Sequence, residues 1–184
     1  GDESPSLKSN APPPEPTPAP KAAPTADKKT PEEKYKLMHE GRHLIIAYHS
    51  VDSSPIDIEG VVSALSEDYR RQSDEFKKRD IVAQMKPDIE SRVASAKENR
   101  YYYMDMSSSL EKYDFNNKSF LQGGLESNRY TYFDNSIYRL TLINGDSFKN
   151  IKVEDENIAR GIESKRSKYS GLITRVYFYA HSTE

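Results

Sequence analysis

The sequence predicts an α+β fold, with N-terminal helices packed on a C-terminal antiparallel β-sheet and an extended proline-rich N-terminal tail. Three observations lead there. Nine of the eleven prolines stand at or before Pro31, so the start of the chain is chemically unlike the rest. Between residues 58 and 96 the apolar positions recur at helical spacing. After Asn99 they alternate in short aromatic runs. Helices first and strands afterwards is the order of an α+β domain, not of an alternating α/β one.

Residues 1–30 read as a disordered proline-rich tail or linker, and residues 31–182 as a single α+β domain. The tail holds one leucine and no aromatic residue; proline removes amide donors and favours polyproline II or coil. Pro12-Pro13-Pro14 and Pro16-Thr17-Pro18 also have the look of recognition segments for an SH3-like domain. A spacer suits the segment better, because it lacks large apolar anchors.

Thr30-Pro31-Glu32-Glu33 predicts a helix start, with Tyr35 and Met38 on its apolar side. Gly41 weakens or ends that helix, and His43 to Tyr48 reads as either its continuation or a short buried strand. After a turn at Asp52 to Pro55, Asp57 opens a second helix carrying Ile58, Val61, Val62, Leu65 and Tyr69. Asp74 opens a further one, with Val82, Met85, Ile89, Val93 and Ala96 along one buried face. Pro87 either kinks this helix or begins a new one. Strands are expected at Tyr101 to Met104, Tyr113 to Phe115, Lys118 to Leu121, Tyr130 to Phe133 and Tyr138 to Leu142. Asn116-Asn117 suits a hairpin turn and Asn144-Gly145-Asp146 a tight turn. A short helix over Glu154 to Glu163 turns Ile158, Ala159 and Ile162 inward, and Leu172 to Ala180 forms the last strand.

Charge narrows the function. There are 27 basic and 29 acidic residues, a net charge of −2, which gives no electrostatic case for nucleic acid or an anionic membrane surface. The absence of cysteine rules out disulfides, thiolate nucleophiles and thiolate-bound metal. No apolar run approaches a membrane span, since the best, Leu44 to Tyr48, is five residues long. No cofactor is expected. The chain begins with Gly1, the form left by a trimmed start, and the tail resembles a spacer next to an anchor. A periplasmic or secreted location is therefore expected, including membrane tethering through a removed N-terminal signal, as in a lipoprotein.

The most specific chemical string is His39-Glu40-Gly41-Arg42-His43. It satisfies H-E-x-x-H, in which a helix sets two imidazoles on one face for zinc and places a glutamate as general base. The zinc-dependent metallopeptidase alternative would use His39 and His43 as ligands, Glu67, or else His49 or Glu59, as the third and Glu40 as the catalytic base. The proline-rich chain upstream offers no strand-rich wall for such a site, and Gly41 weakens the helix within the motif. Surface or helix-end histidines are the simpler reading. Asp105, Glu111 and Asp114 are carboxylates among aromatics, an arrangement known in sugar sites, but structural turns account for them more simply. The 13 tyrosines are the remaining signal. Tyr101, Tyr103, Tyr130, Tyr132, Tyr177 and Tyr179 are expected either to pack across strands or to present a contact surface.

Ser73-Asp74-Glu75-Phe76 with Lys78-Arg79-Asp80, then Glu111 to Phe115 with Phe120, resembles a family of bacterial secreted or periplasmic domains of unknown function. So does Tyr138-x-Leu140-x-Leu142-x-Asn144 with the helix and strand after it. The resemblance spans residues 33–180. It implies an exported protein and brings no activity or cofactor with it. The expected role is a non-catalytic interaction or structural module of the cell envelope, with another envelope protein as partner. Independently of the resemblance, the residues themselves lead to the expectation that Phe76 fills a groove between helix and sheet and that Tyr113, Phe115 and Phe120 supply the sheet's aromatic core.

Overall fold

The computed structural model describes residues 29–134, 137–169 and 171–182; the proline-rich tail lies outside them up to residue 28. After a 3₁₀ turn at Glu32–Lys34, the chain forms β1 (Lys36–Leu37), then four helices: α1 (Gly41–Val51), α2 (Ile58–Leu65), α3 (Glu67–Arg71) and α4 (Glu75–Glu98). Strands β2 (Tyr101–Ser107), β3 (Ser119–Leu121), β4 (Tyr130–Thr131), β5 (Leu140–Thr141) and β6 (Asn150–Lys152) follow, then α5 (Glu156–Ser167) and β7 (Ile173–Tyr179). The fold is α+β.

Three of the helix starts are set by an aspartate. Asp57 accepts from the Gly60 amide at 3.1 Å, and Asp74 from Phe76 and Lys77 at 2.9 and 3.2 Å. Asp155 accepts from Asn157 and Ile158 at 2.8 and 3.3 Å. Each satisfies amides that have no partner inside the helix, stabilising it by about 1 kcal/mol. Ser66 does the same for α3 through the Tyr69 amide, which is why the apolar stripe from Ile58 to Tyr69 is split over two helices.

In α4 the stripe buries Ile89, Val93 and Ala96, with Val82 and Met85 half-buried. This face meets Ile45, Val61, Val62 and Tyr69 in one apolar cluster. Pro87 sits inside the continuous helix. Both Pro87 and Ala83 are exposed, so the carbonyl that loses its donor faces water and the helix survives.

The central sheet has the order β1-β2-β7. β1 runs parallel to β2 (Lys36 opposite Tyr102), and β7 runs antiparallel to it from Tyr101–Tyr179 to Ser107–Ile173. Tyr102, Met104 and Phe178 point to one side, where Met38, Leu44 and Ala47 complete a core flanked by Phe133, Tyr138, Leu140 and Leu142. Two further antiparallel pairs, β3 with β6 and β4 with β5, form separate small sheets. Beside the first, Tyr113, Phe120 and Ala159 make a third cluster, and Tyr113 donates its hydroxyl to the Val153 carbonyl at 2.7 Å.

Several expectations are corrected. The stretch after Pro31 is a 3₁₀ turn and a strand, because the Met38 amide donates to the Tyr103 carbonyl at 2.8 Å and extends the pairing begun by β1. The segment from His43 to Tyr48 is helical. Tyr113 to Phe115 is no strand: Asp114 and Ser119 form an isolated bridge around Asn116-Asn117, and Asp114 accepts from both asparagine amides. Asn144 to Asp146 leads into a 3₁₀ turn at Gly145–Phe148. A Cβ on Gly145 would lie 1.7 Å from the Leu125 carbonyl oxygen, so the turn is closed by close approach. Phe76 and Phe115 are exposed, as is Ile158 on α5. Phe76 fills no groove; Arg79 lies over its ring at 5.3 Å.

Candidate functional site

Strand alternation sends every second side chain of β2 and β7 away from the core. Those side chains are Tyr101, Tyr103 and Asp105 on β2, and Ile173, Arg175, Tyr177 and Tyr179 on β7. Their rings meet across the strands. Tyr101 and Tyr179 lie 5.1 Å apart edge to face, and Tyr103 and Tyr177 lie 6.1 Å apart. Tyr35, just before β1, closes the row at 5.2 Å from Tyr101 and 5.0 Å from Tyr177. Tyr177 is 39 % exposed and Ile173 66 %. The result is an aromatic ladder on the sheet surface opposite the core.

One ion pair braces the ladder. Arg175 donates to both carboxylate oxygens of Asp105, at 2.8 and 3.0 Å, across directly paired positions. Its guanidinium also lies over the Tyr103 ring at 4.5 Å. The hydrogen bonds from Arg175 hold the Asp105 carboxyl below its ordinary range, and Asp105 holds Arg175 protonated. The planar fork thus fixes two strands and one ring together.

The six tyrosines singled out in the sequence fall into two groups. Tyr101, Tyr103, Tyr177 and Tyr179 form the ladder. Tyr130 and Tyr132 stand at the β4–β5 pair, where Arg139 lies over the Tyr130 ring at 4.1 Å and is held protonated by a hydrogen bond with Tyr132. Tyr35 is absent from the expected surface because its surroundings read as a helix start, and the consecutive apolar pair Leu37-Met38 gives no clean strand alternation to counter that.

A cleft of about 1030 Å³ runs along β7. It is lined by Leu44, Ala47 and Tyr48 of α1, by Leu140 and Leu142 of the β5 region, and by residues of β7, Tyr177 and Tyr179 among them. Tyr48 stacks on Tyr138 at 3.9 Å, and the Tyr138 hydroxyl lies 3.3 Å from Nε2 of buried His49. Burial lowers the His49 pKa, outweighing the opposite pull of Asp52 and Asp57.

The H-E-x-x-H string straddles a helix start. α1 begins at Gly41, so His39 and Glu40 precede it and only His43 is inside. The imidazoles still approach, with ring centroids 5.0 Å apart. Nδ1 of His43 accepts from the Glu40 and His39 amides at 3.4 and 3.3 Å, a local capping arrangement. Burial and the neighbouring Arg42 lower the His43 pKa. Glu40 pairs with Arg42 and with His39, and the Asp134 carboxylate accepts from the Gly41 amide. Glu67 is on α3, in an ion pair with Arg71 at 2.6 Å. Among the described residues no three histidine or carboxylate groups gather closely enough to hold a metal.

The candidate sugar-site carboxylates are equally separate. Asp105 is bound to Arg175, Asp114 is turned into its own turn, and Glu111 is an exposed residue of the loop before it.

The match to known families is decided between α2 and α5. The model of the "Domain of unknown function (DUF4852)" family matches residues 63–161. The chain belongs to this family. The matched segment runs from within α2 to within α5, a shorter stretch than the 33–180 resemblance read from the sequence. The tyrosines of β7 and the His39–His43 string lie outside it. No curated protein and no solved structure matches the chain. Among the described residues, no helix is long and apolar enough to cross a membrane.

Proposed function

We propose that this DUF4852 chain is a non-catalytic binding module of a bacterial cell envelope that takes a protein partner on its tyrosine ladder. The observation carrying this reading is the ladder's place on the sheet: five rings, braced by Arg175 and Asp105, on the side away from the core. A globular domain gains little for its own stability from such a surface. Tyrosine and arginine are the residue types that dominate protein contacts, because each offers a large flat area with a polar edge and loses little rotamer freedom. The proline-rich start of the sequence suits a spacer between an anchor and a folded module, which supports export and tethering.

The test is photocrosslinking from benzophenylalanine placed at Tyr177, in cells of the native host, with the location of the chain followed by fractionation. A specific envelope protein crosslinked from Tyr177, and lost in the Tyr101→Ala, Tyr103→Ala double variant that keeps its circular dichroism, is the expected result. A chain confined to the cytoplasmic fraction, or crosslinks unchanged in the double variant, would overturn it.

A further inference from the structure

We propose that β7 is a dimerisation edge, pairing antiparallel with β7 of a second copy to form one continuous sheet across a two-fold axis. This goes beyond the envelope-partner reading: the contact is made by the backbone edge of β7, with the ladder side chains Arg175, Tyr177 and Tyr179 pairing across it.

The hydrogen bonds define which groups the edge offers. The Ala180 amide donates to the Arg100 carbonyl at 2.9 Å, and the Ser108 amide donates to the Leu172 carbonyl at 3.0 Å. Even-numbered residues of this strand therefore point their backbone groups at β2. By antiparallel alternation, the amides and carbonyls of Ile173, Arg175, Tyr177 and Tyr179 point the other way. Among the described residues no strand pairs with them, since β7 ends the sheet order β1-β2-β7. A cleft lined by residues of β7 and by Leu140, Leu142 and Phe148 lies along this strand.

Natural proteins blunt an exposed edge with proline, bulges, inward charge or short length. β7 has none of these. It runs seven residues as Ile-Thr-Arg-Val-Tyr-Phe-Tyr, and its one charge, Arg175, is neutralised by Asp105 on its own sheet.

The order of side chains selects a second copy as the occupant. Centre the two-fold axis on Val176, and all seven residues pair. Arg175 then faces Tyr177 of the other copy, and Ile173 faces Tyr179, twice each. On the cleft side Val176 meets Val176 and Thr174 meets Phe178. Cation–aromatic, aliphatic–aromatic and β-branched pairs are the favourable cross-strand combinations. Moving the axis to Arg175 would set two guanidiniums opposite each other, which is unfavourable. The outward backbone groups fall in hydrogen-bonded pairs in the Val176 register, as the geometry requires. The assembly also closes on itself. The far edge of each half is β1, only two residues long, so the dimer presents no comparable edge for further growth.

The register makes a sharp test, because the chain contains no cysteine. Val176 occupies a non-hydrogen-bonded pair on the axis, where the Cα atoms stand about 4.5 Å apart, within disulfide range. Sedimentation velocity of the full chain over a concentration series should show a monomer–dimer equilibrium. Val176→Cys should form a disulfide-linked dimer under mild oxidation, at least about tenfold faster than Arg175→Cys. Tyr177→Arg, which opposes arginines across the axis, should leave a folded monomer. A native chain monomeric at every concentration overturns the proposal. So does a dimer in which Val176→Cys and Arg175→Cys crosslink equally, or one that survives Tyr177→Arg. Matching circular dichroism of the reduced variants separates these outcomes from misfolding. Envelope-partner crosslinking is read separately, so either reading can fail without the other.

Discussion

The two faces of the β1-β2-β7 sheet are built from the same two strands with different chemistry. On the inner face, Tyr102, Met104 and Phe178 are each less than a tenth exposed, packed on α1 and Met38. On the outer face, Tyr101, Tyr103, Tyr177 and Tyr179 pack against one another, Tyr35 and Arg175, and Tyr177 keeps 39 % of its surface exposed. Aromatic residues occupy both sides, so aromatic content does not distinguish a core from a surface here. What distinguishes them is the partner across the gap: a helix on one side and, among the described residues, the rings and one ion pair on the other. Burial against a second layer yields stability, whereas rings in a single layer leave their apolar area available to another molecule.

The largest effect that would sharpen this contrast comes from truncating neighbours on opposite faces. Phe178→Ala should destabilise the fold by about 3–5 kcal/mol, the usual cost of removing a buried phenylalanine. Tyr177→Ala, one residue away, should cost about 0.5–1 kcal/mol, the scale of a cross-strand aromatic pair. Urea denaturation of the two variants measures both. Equal losses would break the comparison and make the ladder part of the core.

Acid should act next, and first beneath the inner face. The pKa values of His49 and His43 are lowered in the fold, chiefly by burial. The unfolded chain therefore binds protons that the folded chain refuses. Stability is present above the ordinary histidine value of 6.5 and falls as pH drops below it. The lowered carboxyls of Asp105, Asp114, Glu126, Asp146 and Glu163 add a second loss further into acid, below their ordinary values of 3.8 to 4.5. The denaturation midpoint should thus decline in two stages. His49→Gln should shrink the first stage and leave the second. A stability that stays flat from pH 7 to 5 would sink this account.

The helical half of the fold was legible because its signals are local. Asp57 and Asp74 announce helix starts, and the spacing of Ile89, Val93 and Ala96 shows the buried face of α4. The segment from Thr30 to Gly41 was misread because its helix-start residues are real but a distant partner wins: β1 pairs with β2, some 65 residues later. Phe76 and Phe115 were misplaced for a related reason. Hydrophobicity predicts burial only where another element arrives to cover the ring. Of the candidate surface, the alternation of Tyr101 with Tyr103 and of Tyr177 with Tyr179 was readable. Their pairing was not, nor the arrival of Tyr35 and the separation of Tyr130 and Tyr132, because these depend on sheet order.

The smallest expected effect concerns the His39–His43 string, where metal and fold compete for the same ring. Nδ1 of His43 accepts amide hydrogens from His39 and Glu40, so the neutral ring carries its proton on Nε2. A zinc ion at Nε2 needs that proton moved or lost. Moving it to Nδ1 would set a donor against two donors and give up the capping of α1. His39 stands before the helix, and Glu40, which the alternative requires as a free base, is engaged by Arg42. Binding would therefore cost hydrogen bonds the fold already has. Titration of metal-stripped protein with zinc should give no stoichiometric submicromolar binding and no peptidase activity. His43→Ala should lower stability by about 0.5–1.5 kcal/mol, the value of a net hydrogen bond, with or without zinc present. A zinc-dependent rise in the denaturation midpoint that disappears in His43→Ala, accompanied by peptide cleavage, would instead mean that α1 rebuilds its first turn around the ion.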